Sequence, residues 1–184
     1  GGLSFEKVLT VSVTNVNEAP TNIITTASAV AENAASGTSV ATMSATDVDA
    51  GDTFTYTLVS GTGDADNASF TIDGATLKTA GVFDFETKSS YSVRVRVTDA
   101  AGLTYEKVFT ISVTDVNDAP TNISLSANTV AENAASGTSV GTLSGTDADA
   151  GDTFTYSLVA GTGDADNASF TIDGATLKTA GIFD

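Results

Sequence analysis

The stretch "SYSVRVRVTDAAGLTYEKVFTISVTD", residues 90–115, contains two runs of strict alternation. In the first, Tyr91, Val93, Val95 and Val97 share one face, and Ser92, Arg94, Arg96 and Thr98 share the other. In the second, Phe109, Ile111 and Val113 point one way, and Thr110, Ser112 and Thr114 the other. A period of two with β-branched and aromatic residues on a single face is the pattern of a half-buried strand, not of a helix. The same reading extends to "TFTYTLVS", with Phe54, Tyr56 and Leu58 inward, and to "ASFTID", with Phe70 and Ile72 inward. "TSVATMSATD" breaks parity between Val40 and Met43, which predicts a bulge or a strand end. Adding "NIITTASAV" and "ATLKTA" gives about seven short strands in roughly 100 residues, separated by polar or Gly-rich turns. One apolar face per strand suits two sheets packed face to face, so the expected class is an all-β sandwich.

The chain repeats itself at an interval of 100 residues. Between 17–84 and 117–184 only 13 of 68 positions differ, and residues 1–16 recur as 101–116 with six differences. The expected organisation is therefore the last strand of a preceding repeat (1–16), a complete repeat (17–116) and an incomplete repeat (117–184) lacking its last two strands. The incomplete repeat leads to the expectation that the chain continues past Asp184, or that residues 1–16 of another chain complete it. Near-identical neighbours do the same job, so their product is length or multiplicity.

Composition narrows the function. Net charge is −16, from 23 acids against 7 bases, which argues against nucleic acid and against anionic membrane surfaces. Ser, Thr, Gly or Asp interrupts every apolar stretch, so no membrane span is expected in this segment. There is no Cys and no His, which excludes disulfides, thiolate metal sites and His-based acid–base catalysis. A Cys-free extracellular domain needs another staple, and a divalent metal is the obvious one.

The acids avoid the strands. They gather at "AEN" (Glu32), "DVDAGD" (Asp47, Asp49, Asp52), "DADN" (Asp64, Asp66), "FDFE" (Asp84, Glu86), Asp99, and the link "DVND" (Asp115, Asn117, Asp118). Acids placed for solubility alone would also occupy outward strand positions, which carry Thr and Ser instead.

The succession "AEN", "ATDVDAGD", "FDFE", "YSVRVRVTDAAG" and "DVNDAP" resembles the cadherin repeat, in the form common in large bacterial surface proteins. The resemblance covers 17–116, and 117–184 as far as that segment runs. It implies tandem seven-stranded Greek-key β-sandwiches of cadherin or immunoglobulin-like type, joined end to end, with Ca2+ between consecutive repeats. Carried over residue by residue, the implied metal ligands at the second link are Glu32, Asp84, Glu86, Asp115, Asn117, Asp118, Asp147 and Asp149. At the first link they are Asn15, Asn17, Glu18, Asp47, Asp49 and Asp99, and Glu132 is the last segment's counterpart of Glu32. The links lack one Asn of the animal cadherin pattern. The first link has Asn15 and Glu18 where the second has Asp115 and Asp118, so its site carries less charge. The chemistry agrees: calcium takes roughly six to eight oxygen ligands from carboxylates, Asn side chains and carbonyls.

Rival readings are weaker. "DVDAGD" is not an EF-hand, because position 12 would be Leu58 and no Gly stands at position 6. "GTGDADN" reads as an ordinary turn. Asp84 and Glu86 have a spacing that a glycosidase pair can adopt, but no Trp platform accompanies them. The expectation is that the chain is not an enzyme. It is expected to be a calcium-rigidified spacer of a long extracellular adhesin or filament, at the cell surface or secreted. Its partners would be neighbouring repeats and other copies of the chain. The alternative is a carbohydrate- or protein-binding module of a secreted polysaccharide-acting protein.

Overall fold

A computed structural model of the chain describes residues 1–184. It contains twelve strands, two short 3-10 turns and no α-helix, so the all-β expectation holds. No helix is long and apolar enough to cross a membrane. The chain divides into two compact units, residues 1–115 and 116–184. Residues 1–21 lie in no strand.

The first unit holds β1 (Asn22–Thr25), β2 (Ala29–Ala31), β3 (Ser39–Thr46), β4 (Thr55–Leu58), β5 (Phe70–Asp73), β6 (Thr76–Thr79), β7 (Ser90–Thr98) and β8 (Thr104–Thr114). One sheet has the order β1-β3-β6-β5 and the other β2-β8-β7-β4. Eight strands stand where about seven are expected from the alternation pattern. The difference is "NIITTASAV", which is two strands rather than one. Its first half pairs antiparallel with β3, and its second half crosses over to pair parallel with β8, Val30 opposite Val113. Between the halves, Thr26 donates to Thr42 O (3.0 Å) while Ser28 O accepts from Ser112 N (2.8 Å). The two ends of one short segment are thus tied to different sheets.

The core lies between the sheets. Ile23, Met43, Phe70 and Leu77 face it from one side, and Tyr56, Val93, Val95, Val97, Ile111 and Val113 from the other. Burying each large aliphatic side chain contributes about 1.5–3 kcal/mol. The parity break in β3 is a bulge: the register to β6 shifts between Ser39 and Ala41, and Val40, Ala41 and Met43 are all buried. The expectation that acids avoid the strands fails at Glu106 on the outward face of β8, because two arginines pair with it: it accepts from Arg94 on one carboxylate oxygen and from Arg96 on the other, at 2.6–2.9 Å.

The second unit has β9 (Asn122–Leu125), β10 (Ser139–Thr146), β11 (Phe170–Asp173) and β12 (Thr176–Thr179), in one sheet ordered β11-β12-β10-β9. Residues 155–158 form no strand, although they differ from β4 only at Ser157. Residues 129–131 form none either. In the first unit β2 and β4 are edge strands whose sole neighbours are β8 and β7, and 117–184 contains no counterpart of either. Strand propensity alone does not make a strand; the hydrogen-bonding neighbour does. The inner face of the second unit's sheet is left as an open apolar groove of about 370 Å³, lined by Ile123, Leu143, Tyr156, Leu158, Ile172 and Leu177 among others.

Candidate metal centre

β8 is eleven residues long, about 36 Å at the usual strand rise. Within the first unit, an acid cluster sits beyond each end of it. The sandwich sets this spacing, because Asp99 follows β7 at the hairpin turn and Asp115 follows the far end of β8.

At the hairpin end, the loop after β3 brings carboxylate oxygens of Asp47, Asp49 and Asp52 within 4.8 Å of one another. Asp49 N donates to Asp47 Oδ1 at 3.0 Å, a local turn that aims both side chains the same way. Asp99 is only 6% exposed, and its Oδ1 accepts from Leu103 N across the hairpin turn (2.8 Å). The preceding link closes over the loop. Asn15 Nδ2 donates to Asp49 Oδ1 (2.6 Å), Asn17 Nδ2 to Asp99 Oδ2 (2.9 Å) and Glu18 N to Asp49 Oδ2 (2.8 Å). All six residues carried over for the first link, Asn15, Asn17, Glu18, Asp47, Asp49 and Asp99, are therefore within one linked group.

The electrostatics of that group are divided. The Asn15 amide and the Glu18 N–H hold Asp49 below the usual carboxylate range, and the Asn17 amide does the same for Asp99. Desolvation, followed by Asp47, Asp49 and Asp99, pushes Asp52 up. Desolvation, then Asp49, raises Glu18. Asp47 Oδ2 and Asp52 Oδ2 are buried and have no hydrogen-bond partner. Buried polar atoms are ordinarily paired, so two orphaned carboxylate oxygens beside a third carboxylate call for a cation. The donor set is all oxygen, which suits a hard divalent ion of the calcium or magnesium kind and not zinc.

At the other end of the unit, Glu32 is buried (3% exposed), and its Oε2 accepts from Phe85 N at 2.8 Å. Glu32 N donates to Thr114 O (3.1 Å), and Asn33, at φ 57°, turns the chain to bond Phe83 O. Carboxylate oxygens of Glu32 and Glu86 lie within 4.8 Å, as do those of Glu86 and Asp115. Asp84 behaves differently: it uses its two oxygens on Thr87 N and Thr87 Oγ1, which caps the turn and lowers its pKa.

In the second unit, Asp147, Asp149 and Asp152 repeat the triad. Asp118 N donates to Asp149 Oδ2 (2.6 Å), Asn117 Nδ2 bonds Asp118 O (2.7 Å), and Asp147 Oδ2 is buried and unpartnered. Glu132 is exposed, unlike Glu32. The segments that bury Glu32, the end of β8 and the chain at Phe85, have no counterpart in 117–184.

Sequence reasoning places Asp52 among the clustered acids but not among the ligands. The structure makes it a full member of the triad, and Asp152 likewise. The signal is Gly51 between Asp49 and Asp52: its φ of 95° turns the chain back on itself. "GTGDADN" is a turn, with Asp64 accepting from Gly61 N and Asp66 from Ser92 N and Lys88.

The chain is similar in sequence and fold to known proteins. The cadherin domain model matches residues 26–114. The chain is similar to protocadherin beta-1 of Homo sapiens, 33% identical over 102 residues, which is 53% of this chain and 12% of that protein. It is also similar to protocadherin alpha-2 of Pan troglodytes, 30% identical over 128 residues, 65% of this chain and 14% of that protein. Among solved structures, human protocadherin-24 EC1-2 superposes with a TM-score of 0.64 at 21% identity, covering 91% of this chain and 80% of that one; at such identity the likeness is one of fold. Protocadherin gamma B7 extracellular cadherin domains 1–4 gives 0.57 at 26% identity, covering 88% of this chain and 42% of that one. Residues 26–114 are thus similar to a cadherin domain.

Proposed function

We propose that this chain is a run of calcium-stiffened spacer repeats in a long extracellular adhesion protein. The observation that carries the reading is the pair of buried, unpartnered oxygens on Asp47 and Asp52, beside Asp49 and under a link fastened by Asn15, Asn17 and Glu18. At the hairpin end, Asp47, Asp49, Asp52 and Asp99 supply carboxylates, and Asn15, Asn17 and Glu18 add oxygens from the link. At the far end of the first unit Glu32, Glu86 and Asp115 are the candidate ligands, and the second unit carries its own set in Asn117, Asp118, Asp147 and Asp149. Asp84 belongs to that set once its turn with Thr87 opens, and Glu132 takes the place of Glu32 one repeat later. Calcium supplies the positive charge that these carboxylates lack, and so offsets their mutual repulsion.

The chain's own residues do the rest. Link residues that hold the metal are fixed against the repeat that holds it too, so binding favours one arrangement over the many open to a free link. An ion bound only in that arrangement stabilises it by mass action. The proline of each link, Pro20 or Pro120, limits backbone freedom as the chain enters the next first strand.

The repeat boundaries that go with this reading are 1–16, 17–116 and 117–184. The segment works outside the cell, beside other repeats and other copies in a filament, and catalyses nothing. The finer assignment, to spacers of bacterial surface adhesins, is supported by the motif succession and the near-identity of the repeats. Small-angle scattering tests the spacer role. A chain carrying two complete repeats should be longer and narrower in its distance distribution with calcium than with chelator. Equal maximum dimensions in both would remove it.

A further inference from the structure

We propose that the loop of residues 59–67 is an edge guard, which keeps the first half of β7 from pairing with an edge strand of a second copy of this chain. β4 pairs with β7 only from Val95 to Thr98. Upstream of that ladder β7 extends back to Ser90, and its backbone there would form a free sheet edge. A row of unpaired N–H and C=O groups is a template for another chain, and near-identical repeats are prone to mispairing between copies.

The loop meets that row. Val59 N donates to Arg94 O (3.0 Å) and Asp66 N to Ser92 O (3.1 Å). Arg94 N donates to Asn67 Oδ1 (2.9 Å) and Ser92 N to Asp66 Oδ2 (2.8 Å). Four backbone groups of β7 are filled in this way, two of them by side-chain oxygens that stand where a strand would place carbonyls. An added strand would leave its own outer row of backbone groups free, and so would only move the edge outward. The loop instead turns its backbone in on itself. Asp64 N bonds Gly61 O, Asn67 N bonds Asp64 O, and Asn67 Nδ2 closes back on Val59 O at 3.0 Å. The same internal bonds recur one hundred residues later, among Val159, Gly161, Asp164 and Asn167. The closed shape belongs to "GTGDADN" itself, and the sheet ends at it.

Side chains of β7 fasten the guard from their own side. Ser92 Oγ donates to Gly63 O and Arg94 Nη1 to Thr62 O, both at 2.9 Å. Lys88 Nζ pairs with the other oxygen of Asp66. A Cβ on Gly61 would meet Arg94 Nε at 3.0 Å, so a glycine lets the loop lie this close. None of these residues is a candidate metal ligand, and the guard works with or without an ion.

The test compares the 184-residue chain with Asp66→Ala plus Asn67→Ala by sedimentation over a range of concentrations, in chelator. The double variant is expected to melt cooperatively and to associate more strongly than the wild type. In dilute solution its Ser92 and Arg94 amides should exchange about tenfold faster, as the loss of a hydrogen bond to each predicts. Asp66→Asn keeps an acceptor for Ser92 N and should sediment as the wild type does. Ile111→Val lowers stability with the guard intact and should do the same. Should the double variant not melt cooperatively, Asn67→Ala alone decides by the same comparison. A folded variant with the wild-type mass at every concentration would overturn the proposal. So would equal association by Ile111→Val, which would trace the effect to lost stability rather than to the edge.

Discussion

Asn17 and Asp99 lie 82 residues apart in sequence and 2.9 Å apart in space, the Asn17 amide donating to Asp99 Oδ2. The contact joins the link before the first strand to the turn between the last two. It also places an amide oxygen, once the side chain turns over, beside a carboxylate that is 6% exposed.

Asp52 offers a test in which two conditions give opposite signs. Its pKa is raised by desolvation and by Asp47, Asp49 and Asp99, so its charge is unfavourable in the metal-free fold. Asp52→Asn should leave the metal-free chain as stable or more stable, and should reduce the rise in melting temperature on adding calcium. Thermal melts with calcium and with chelator measure both. A variant that loses stability in chelator and keeps the full calcium shift would show that Asp52 is no ligand.

Core packing predicts a larger and metal-independent effect. Ile111 is fully buried between the sheets and pairs with Tyr91 across the β7–β8 ladder. Ile111→Ala should cost about 2–5 kcal/mol, measured by denaturant unfolding. A loss well below that would mean that the two sheets are not packed at this point.

The strands were legible because alternation survives any detail of pairing: Val93, Val95 and Val97 read as inward from sequence and are inward. Even the bulge at Val40 announced itself as a parity break. What the pattern does not carry is partnership. "NIITTASAV" looks like one strand, because a switch between sheets leaves no mark on hydrophobicity. "TYTL" and "TYSL" look alike, and only the first has a neighbour to pair with. The candidate ligand positions read as loop acids in the sequence, whereas the place of Asp52 beside Asp47 and Asp49 depends on how Gly51 bends the loop.

Glu106 makes stability depend on pH. Hydrogen bonds from Arg96 and Arg94 hold its carboxyl below the ordinary 4.5. A carboxylate with a lowered folded pKa contributes fully above the unfolded value, and the contribution fades as pH falls through the folded one. The wild-type chain should therefore lose stability below pH 4.5 more steeply than Glu106→Gln. Parallel slopes for the two in acid unfolding would contradict the ion-pair reading.

Two glycines form an internal control. Gly63 and Gly163 have φ of 89° and 92°. A Cβ on Gly63 would meet Val108 Cγ2 at 2.6 Å, whereas one on Gly163 meets nothing within 4 Å. Both alanine variants carry the backbone strain, of about 1 kcal/mol or more. Gly63→Ala should cost more than that, and Val108→Ala should restore only the excess. Equal costs at the two positions in thermal melts would show that the loop does not rest on β8.

The most direct measurement is an anomalous difference map from crystals of the chain grown in calcium. Peaks are expected among the oxygens of Asp47, Asp49, Asp52 and Asp99, at about 2.3–2.6 Å from the carboxylates, with link oxygens from Asn15, Asn17 or Glu18 in the same shell. A well-ordered map that shows only water among those side chains would contradict the claim that the repeats are held by shared cations.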